Sequence, residues 1–445
     1  MKVSVVGTGY VGLVTGVCLA EKGHQVVCVD MDHGKVDMIN QGKAPIYERG
    51  LEALLKKHIG SSLKATTDLA GAVNETDLSL IAVGTPFNGK EINLAFVEKV
   101  SGAIGDALRA KRDYHVVIVK STVVPGTTDG VVRPILEHAS GKKAGVDFGV
   151  GMNPEFLTEG EAIQDFLFPD RIVLGGMDSM TVDQMARLYE GFPGVEVLRT
   201  NNKTAEMIKY ASNALLATMI SFSNELANLS AVEGNIDILD VMKGVHLSRY
   251  LSVETSDGRH AQPSIVSFLS AGCGFGGSCF PKDVKALVAH GEKRNVPMHV
   301  LDAVLKVNEH QPAKIIELLR KHFPSLMGVR VSVLGLAFRP DTNDMRESPA
   351  IPIVRGLLRE GATVIAYDPI ASEEARKVFT DGEVTLCETL AQAVEHVEAI
   401  VLVTRWKEFE KLPELLARQS VQPLFVDGRR MLDKTAVARY EGIGL

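Results

Sequence analysis

The sequence is short of cysteine, with five in 445 residues at positions 18, 28, 273, 279 and 387. So few, odd in number and without paired metal-ligand spacing, they exclude a disulfide framework and point to free thiols in a reducing compartment. A Cys273–Cys279 disulfide would form only under oxidation, and the reduced state is expected to be the working one. Excess positive charge is also missing. The formal net charge of −7 argues against general nucleic-acid affinity, so an anionic substrate must be held by a local cluster of Lys and Arg. No apolar run approaches a membrane span, and the N-terminus enters a strand at Val3 without a signal-peptide layout, so a cytoplasmic location is expected. Low-complexity segments and short-period repeats are absent as well. What is there, 45% apolar and 23% charged residues, is a globular composition on a chain too long for one ordinary core, so two or three domains are expected.

A short β-branched run, Lys2–Val6, leads into Gly7-Thr8-Gly9-Tyr10-Val11-Gly12, then a helix-like stretch to about Glu21, then a second run ending in Asp30. Strand, turn, helix and strand in that order are the context a GxGxxG match requires. Gly7 allows the tight turn, Gly9 lets the backbone approach a pyrophosphate, and Gly12 lets the helix pack on the strand. Asp30, 18 residues past Gly12, is placed to hydrogen-bond a ribose 2′-hydroxyl. Its charge would repel a 2′-phosphate, so NAD is expected over NADP, a preference that Lys35 softens.

The α/β texture continues. Residues 78–83 end at Gly84-Thr85-Pro86, residues 115–119 at Lys120-Ser121-Thr122, and residues 148–152 at Asn153-Pro154-Glu155. Residues 170–175 read as the closing strand of this first domain. Ligands of parallel sheets sit outside the carboxyl ends of the strands, where Thr85, Thr122, Glu155 and Glu159 all fall. Glu155 and Glu159 would share a face on a helical turn, either as a solvated pair or as a functional one.

From 203 to 233 the chain has neither glycine nor proline, which predicts a helix some 45 Å long. Ile208, Ala211, Leu215, Met219, Ile220, Phe222, Leu226 and Leu229 make much of its circumference apolar, a demand met most simply by packing against its twin in a homodimer. Lys209 and Asn213 interrupt that surface. Lys209 is either a snorkelling side chain or a desolvated cation aimed into a cleft. Residues 253–266 read as a loop and 296–310 as a second linking helix. The last third repeats the strand pattern at 329–334, 362–367, 399–403 and 423–426 without the full glycine fingerprint, so it should bind something other than a second dinucleotide. Arg339, Arg346, Arg429 and Arg430 lie near its strand ends. Each alone reads as a surface arginine; together they read as a phosphate or nucleotide site.

The stretch Gly274-Phe275-Gly276-Gly277-Ser278-Cys279-Phe280-Pro281-Lys282-Asp283 sets a thiol after a glycine-rich bend, with a cation and a carboxylate just beyond. If a helix begins here, its N–H groups and dipole favour a thiolate. A buried structural thiol under a tight turn is the other reading.

With these residues collected, the chain resembles the UDP-glucose 6-dehydrogenase/GDP-mannose dehydrogenase family along nearly its whole length. The carrying motifs are Gly7-x-Gly9-Tyr10-Val11-Gly12, Gly84-Thr85-Pro86, Lys120-Ser121-Thr122, Asn153-Pro-Glu-Phe-Leu157, Glu206-Met-Ile-Lys209-Tyr-Ala-Ser-Asn213, the cysteine stretch, and Arg346-Glu-Ser348. The resemblance implies an α/β fold of two doubly wound Rossmann-like domains joined by a long central helix. An NAD-binding domain is expected over 1–198, a central linking and dimerisation domain over 199–312, and a UDP-sugar-binding domain over 313–445. It further implies NAD-dependent, four-electron oxidation of UDP-glucose at C6 to UDP-glucuronate, with GDP-mannose or a UDP-N-acetylhexosamine as alternative substrates.

In that family pattern Cys279 matches the nucleophile, which forms a thiohemiacetal and then a thioester. Lys209 and Asn213 match the residues that stabilise the oxyanion and hold the substrate, Glu155 the acid/base of thioester hydrolysis, and Thr122 and Asp283 a pair that positions a water or relays a proton. Gly7, Gly9, Tyr10, Val11, Gly12, Asp30, Lys35, Thr85, Pro86, Thr122, Glu159, Lys282 and Arg346 match the cofactor site. Glu155, Phe156, Leu157, Lys209, Asn213, Phe275, Gly276, Phe338, Arg339 and Arg429 match the sugar-nucleotide site. Elementary chemistry agrees: a second hydride leaves only from a tetrahedral adduct of the aldehyde, which a thiolate supplies, and a buried Lys209 would stabilise charge on its oxygen.

Substrate choice is divided. Residues 165–173, 341–349 and 425–429 look like the UDP-glucose branch; residues 140–151 and 246–250 look more like the GDP-mannose branch. Pro263 falls where the UDP-glucose branch has an arginine, leaving Arg249 or Arg259 as substitutes, and Arg339 replaces a more usual lysine. A two-electron dehydrogenase of the 3-hydroxyacid type, which would not need Cys279, and a nucleotide-sensing protein without turnover are the competing classes.

Overall fold

In the computed structural model, which describes residues 1–255, 258, 260–380 and 382–445, each valine-rich run is a strand of one of two largely parallel sheets. The chain divides into two compact units, Met1–Ser212 and Asn213–Leu445.

The first unit carries β1 (Lys2–Val6), β2 (Gln25–Val29), β3 (Leu63–Thr66), β4 (Leu78–Ile81), β5 (His115–Val119), β6 (Phe148–Met152), β7 (Arg171–Gly176) and β8 (Glu196–Thr200), in the order β3-β2-β1-β4-β5-β6-β7-β8. Burial on both faces explains the unbroken hydrophobic runs. On β5, Val116 and Ile118 pack with Leu13, Val14 and Val17 of the first helix (Tyr10–Glu21), while Val117 and Val119 enter the core on the opposite face. The closing-strand expectation needs correction. Residues 171–176 form β7, which runs antiparallel to β6 and pairs parallel with β8 beyond it. The edge strand β8 is mostly exposed, so it carries no apolar signature for a sequence pattern to catch.

The chain passes into the second unit within one helix, Asn202–Glu233, of 32 residues. The stretch read as a loop contains a short antiparallel ribbon, β9 (Val253–Glu254) with β10 (His260–Ala261), and a 3₁₀ turn at Ser264–Phe268. The helix expected over 296–310 runs instead from His299 to Arg320 and carries Pro312 in its interior. Proline normally ends a helix, but Ile315, Leu318 and Leu319 beyond it are buried in the core, and that burial, about 1.5–3 kcal/mol per side chain, offsets the lost bond.

The second sheet is parallel throughout: β11 (Arg330–Leu334), β12 (Thr363–Tyr367), β13 (Val384–Leu386), β14 (Ala399–Leu402), β15 (Leu424–Asp427) and β16 (Tyr440–Gly442), in the order β13-β12-β11-β14-β15-β16. The three-residue strands β13 and β16 were too short to register in the sequence. Among the described residues no helix is long and apolar enough to cross a membrane.

Candidate active site

At the carboxyl end of β1 the backbone turns at Gly7 with φ +98°, and a Cβ there would lie 2.7 Å from the Ala82 carbonyl oxygen. A Cβ on Gly12 would meet the Gly7 oxygen at 1.9 Å, so helix and strand touch. Over Gly9, by contrast, nothing lies within 4 Å of that position, which leaves the backbone open to a pyrophosphate.

Asp30 ends β2. One of its oxygens accepts the Thr8 N–H at 2.8 Å and the Thr8 hydroxyl at 2.6 Å, and the other accepts the Asp32 N–H at 3.1 Å. Burial pushes its pKa up, but these bonds and the nearby Lys35 charge outweigh burial and hold it below the ordinary carboxylate value. It is therefore ionised at neutral pH, and the cradle fits NAD. Asp30→Ala is expected to raise KM for NAD about tenfold, a charged hydrogen bond being worth about 1.5–3 kcal/mol, and to shrink discrimination against NADP. Steady-state kinetics with both cofactors measure this, and unchanged values would remove Asp30 from the site.

Tyr10 and Val11 open the first helix. The Tyr10 hydroxyl donates to Glu48, whose carboxylate also accepts the N–H groups of Gly160 at 2.8 Å and Ala162 at 3.0 Å. Burial and the Glu48 hydrogen bond and charge push the phenol far up, so it stays a donor. Glu48 thus ties the first helix to the segment carrying Glu159, and nothing in Tyr47-Glu48-Arg49 marked it in the sequence. Thr85 Oγ1 donates to the Thr122 carbonyl at 2.8 Å, joining the ends of β4 and β5, and the Pro86 carbonyl accepts the Asn93 N–H at 2.8 Å.

Glu155 and Glu159 share no helical turn: residues 153–158 are irregular backbone, because Pro154 biases Asn153 toward extended geometry. Glu155 instead turns inward. Its Oε1 lies 2.9 Å from Lys209 Nζ, the two side chains 6% and 4% exposed, and its Oε2 accepts the Leu157 N–H at 2.7 Å. Lys209 is therefore a buried, paired cation and does not snorkel. Burial alone would raise the Glu155 pKa; the charge and hydrogen bond of Lys209, the Leu157 N–H and the Lys120 charge together hold it below the ordinary value.

Two neighbours of this pair, Lys120 and Arg171, were given no role from the sequence. Lys120 is buried, donates to Asn153 Oδ1 at 3.0 Å, and has its pKa pulled down to about 8 by burial. The Arg171 guanidinium stacks on the Phe156 ring, 4.0 Å from the centroid, with Lys209 Nζ at 5.7 Å from the same ring. Three residues before Lys209, the buried Glu206 carboxylate accepts the N–H groups of Gly126 at 2.5 Å and Thr128 at 2.7 Å. That fastens the loop after Thr122 to the long helix.

In the second unit, Cys279 is the N-cap of the helix Phe280–Lys293, with Pro281 in its first turn. Cys279 is a half-buried thiol, whereas Cys273 in the same stretch has no exposed surface. The helix dipole favours negative charge at Cys279. Asp283, 1% exposed, is held from both sides: Asn213 Nδ2 donates to one oxygen at 2.7 Å and Lys282 Nζ to the other at 2.5 Å. Phe275 sits edge-on to Phe280 at 6.0 Å, a Cβ on Gly276 would strike the Glu347 oxygen at 2.3 Å, and the Phe338 ring lies against Gly277.

The four arginines separate. Arg429 donates to the carbonyls of Val403 at 2.6 Å and Gly274 at 2.8 Å, Arg346 is chelated by Asp344 at 2.9 and 2.7 Å, and Arg339 is half-buried beside Phe338. Arg430 corrects the expectation of an anion ligand. It is buried, gripping both oxygens of Asp237 at 2.8 and 2.9 Å and the Ile443 carbonyl at 3.0 Å. Arg405, just past β14, bonds the Arg429 carbonyl and the Ser270 hydroxyl instead; its place after a strand was the available signal.

The turn after β11 is filled by Asp368, which accepts the N–H groups of Leu336 at 2.7 Å and Ala337 at 3.0 Å. At this turn, among the described residues, the backbone N–H groups are taken by a side chain, unlike the open backbone at Gly9. Of the substitutes for the arginine that Pro263 displaces, Arg249 lies over the Tyr250 ring at 5.2 Å, and Arg259 is outside the described residues. Among the described residues no group of His, Cys, Asp and Glu is arranged to hold a metal ion.

The chain matches models of three domains of one family: the UDP-glucose/GDP-mannose dehydrogenase NAD binding domain over residues 1–193, the central domain over 203–310 and the UDP binding domain over 332–434. It is 40% identical over 450 aligned residues to the UDP-glucose 6-dehydrogenase AglM of Haloferax volcanii, covering all of both chains. To the GDP-mannose 6-dehydrogenase of Pseudomonas putida it is 38% identical over 460, again covering all of both. A solved UDP-glucose dehydrogenase from Pyrobaculum islandicum superposes with a TM-score of 0.90 at 38% identity, covering 100% of this chain and 97% of that one. The open glycine turn, the ionised Asp30 and the matches along the whole length make this chain a member of the UDP-glucose/GDP-mannose dehydrogenase family, whose enzymes use NAD to oxidise nucleotide sugars at C6.

Proposed function

We propose that the protein oxidises UDP-glucose to UDP-glucuronate in two successive two-electron steps, with the substrate carbon held on Cys279 between them. When bound, NAD⁺ accepts the hydride in each step. The C6 alcohol loses a hydride and a proton to become an aldehyde. The Cys279 thiolate adds to that carbon, giving a thiohemiacetal whose loss of hydride and proton leaves a thioester. Water then cleaves the thioester, releasing the carboxylate and the thiol.

Lys209 and Asn213 supply donors to the oxyanion. Glu155, kept ionised by its surroundings, takes the proton from the attacking water, with Thr122 and Asp283 positioning it. Phe275, Gly276, Phe338, Arg339 and Arg429 hold the sugar nucleotide. The observation that carries this reading is a half-buried thiol at the amino end of a helix whose first turn holds a buried carboxylate gripped by Asn213 and Lys282.

UDP-glucose is favoured by residues 165–173, 341–349 and 425–429 and by the AglM and Pyrobaculum relatives. GDP-mannose is the second reading, favoured by residues 140–151 and 246–250 and by the Pseudomonas putida relative. NADH yield across a panel of nucleotide sugars decides between them. Two NADH per UDP-glucose is the expected result, and two per GDP-mannose would move the assignment to the second reading. One NADH per sugar would leave a two-electron dehydrogenase, and none a sensor.

The working form is proposed to be a homodimer. Leu215, Phe222 and Leu229 of the long helix, 53%, 47% and 57% exposed, recur every seven residues on one face, a stripe that a second copy would cover. Sedimentation velocity at micromolar concentration reads the mass directly.

A further inference from the structure

The backbone leading to Cys279 is anchored from several distant parts of the chain. The Gly272 N–H donates to Asn224 Oδ1 at 2.7 Å, the Cys273 N–H to the Gly428 carbonyl at 2.8 Å, and the Gly277 N–H to the Arg346 carbonyl at 2.9 Å. Asn308 does more, because its side chain takes both main-chain groups of one residue. Its Oδ1 accepts the Phe275 N–H at 2.7 Å and its Nδ2 donates to the Phe275 carbonyl at 3.0 Å. The amide thus does for Phe275 what a neighbouring strand would do, in a buried segment whose polar groups need partners.

The helix around Asn308 is suited to that contact. Pro312, four residues on, has no N–H, so it gives the Asn308 carbonyl no intrahelical bond. Gly274 packs against this point with φ +101°, and a Cβ there would lie 2.9 Å from Asn308 Oδ1 and 3.5 Å from the Asn308 carbonyl oxygen. Only a side chain with a donor and an acceptor on one short stem can make both bonds; a carboxylate offers acceptors alone and leucine offers neither.

We infer that Asn308 is a positioning residue for the nucleophile, setting the path of the segment from Phe275 to Cys279 and so the place of the sulfur. The inference rests on the reading of Cys279 as the nucleophile. Nucleophilic attack requires the reacting atoms within about 3–3.5 Å, and a misplacement of about 1 Å can cost about 100-fold in rate.

The test uses the full-length enzyme with Asn308→Leu and Asn308→Asp. It reads kcat, the Kd for NAD, and the pH profile of alkylation of Cys279 by iodoacetamide, followed by peptide mass spectrometry with half-exposed Cys387 as the internal reference thiol. Asn308→Leu is expected to lower kcat about 100-fold, to change the Cys279-to-Cys387 alkylation ratio several-fold, and to leave the Kd for NAD unchanged. Asn308→Asp is expected to lose activity at neutral pH and to recover relative to wild type as pH falls, because a protonated carboxyl regains a donor for the Phe275 carbonyl. Should Asn308→Leu fail to fold, this pH-dependent recovery carries the test. Folded variants with wild-type kcat, or with a lowered kcat but an unaltered Cys279 alkylation profile, overturn the inference. A Cys279→Ser enzyme that still forms acid would instead overturn the nucleophile reading, so the two failures are distinguishable.

Discussion

Cys279→Ser is expected to cut net acid formation by at least about 1,000-fold, which corresponds to about 4 kcal/mol of barrier, while affinity for NAD and thermal stability stay close to wild type. Cys279 is only partly buried, at a helix cap, so a hydroxyl in place of its thiol opens no sizeable cavity. The chemical loss is large for two reasons. A thiol loses its proton near pH 8.5 whereas an alcohol does not at any working pH, so the attacking anion becomes scarce. An oxygen ester, if one forms, is also a poorer substrate for hydrolysis than a thioester. Product chromatography together with NADH stoichiometry measures both arms. Wild-type acid formation in this variant would eliminate the covalent route.

Lys209→Met is expected to be the most damaging single change in the first unit. Lys209 and Glu155 are paired at 2.9 Å and almost wholly buried, and removing one partner of such a pair leaves an uncompensated charge, a cost of about 3–5 kcal/mol. For a unit of this size that is a fall in melting temperature of roughly 10 °C. Adding Glu155→Gln should return most of the stability but none of the activity, and the double-mutant cycle reports the coupling.

The pH dependence separates the variants further. In the wild type the Glu155 pKa is depressed, so the stability from its ionised form is present above the unfolded carboxylate value and is lost as pH falls through the lower folded one. In Lys209→Met burial opposes ionisation with less to counter it, the folded pKa moves upward, and the variant should lose less stability than wild type on acidification. Melting curves from about pH 8 down to about pH 3, below the unfolded carboxylate value, test this. Parallel curves for wild type and variant would show that Glu155 is not held ionised by Lys209.

Much of the candidate site's local geometry was legible in the chain because its determinants are local. Gly7, Gly9 and Gly12 are needed for reasons of dihedral angle and close approach within one strand–turn–helix, and Asp30 belongs to the next strand end. The cap at Cys279 follows from a glycine-rich bend with Pro281 in the first helical turn. Where the reading failed, the deciding partner was far away. Glu155 and Glu159 look like a helical pair until Lys209, from another element, draws Glu155 inside. Arg430 looks like its neighbour Arg429 until Asp237 claims it. Proline at 312 looks like a helix end until the core beyond it is counted.

The amino-acid order alone thus settled the alternation of strands and helices, the two doubly wound units, the dinucleotide turn and the glycine-rich bend that puts Cys279 at a helix cap, because periodicity, glycine dihedrals and helix caps are set by residues within a few positions of one another. Which charges are buried and paired, which arginine is spent on holding the chain together, and that Asn308 grips Phe275 were decided only by the tertiary structure. A charge or an amide takes its role from whatever packs over it, and that neighbour can stand anywhere in the chain.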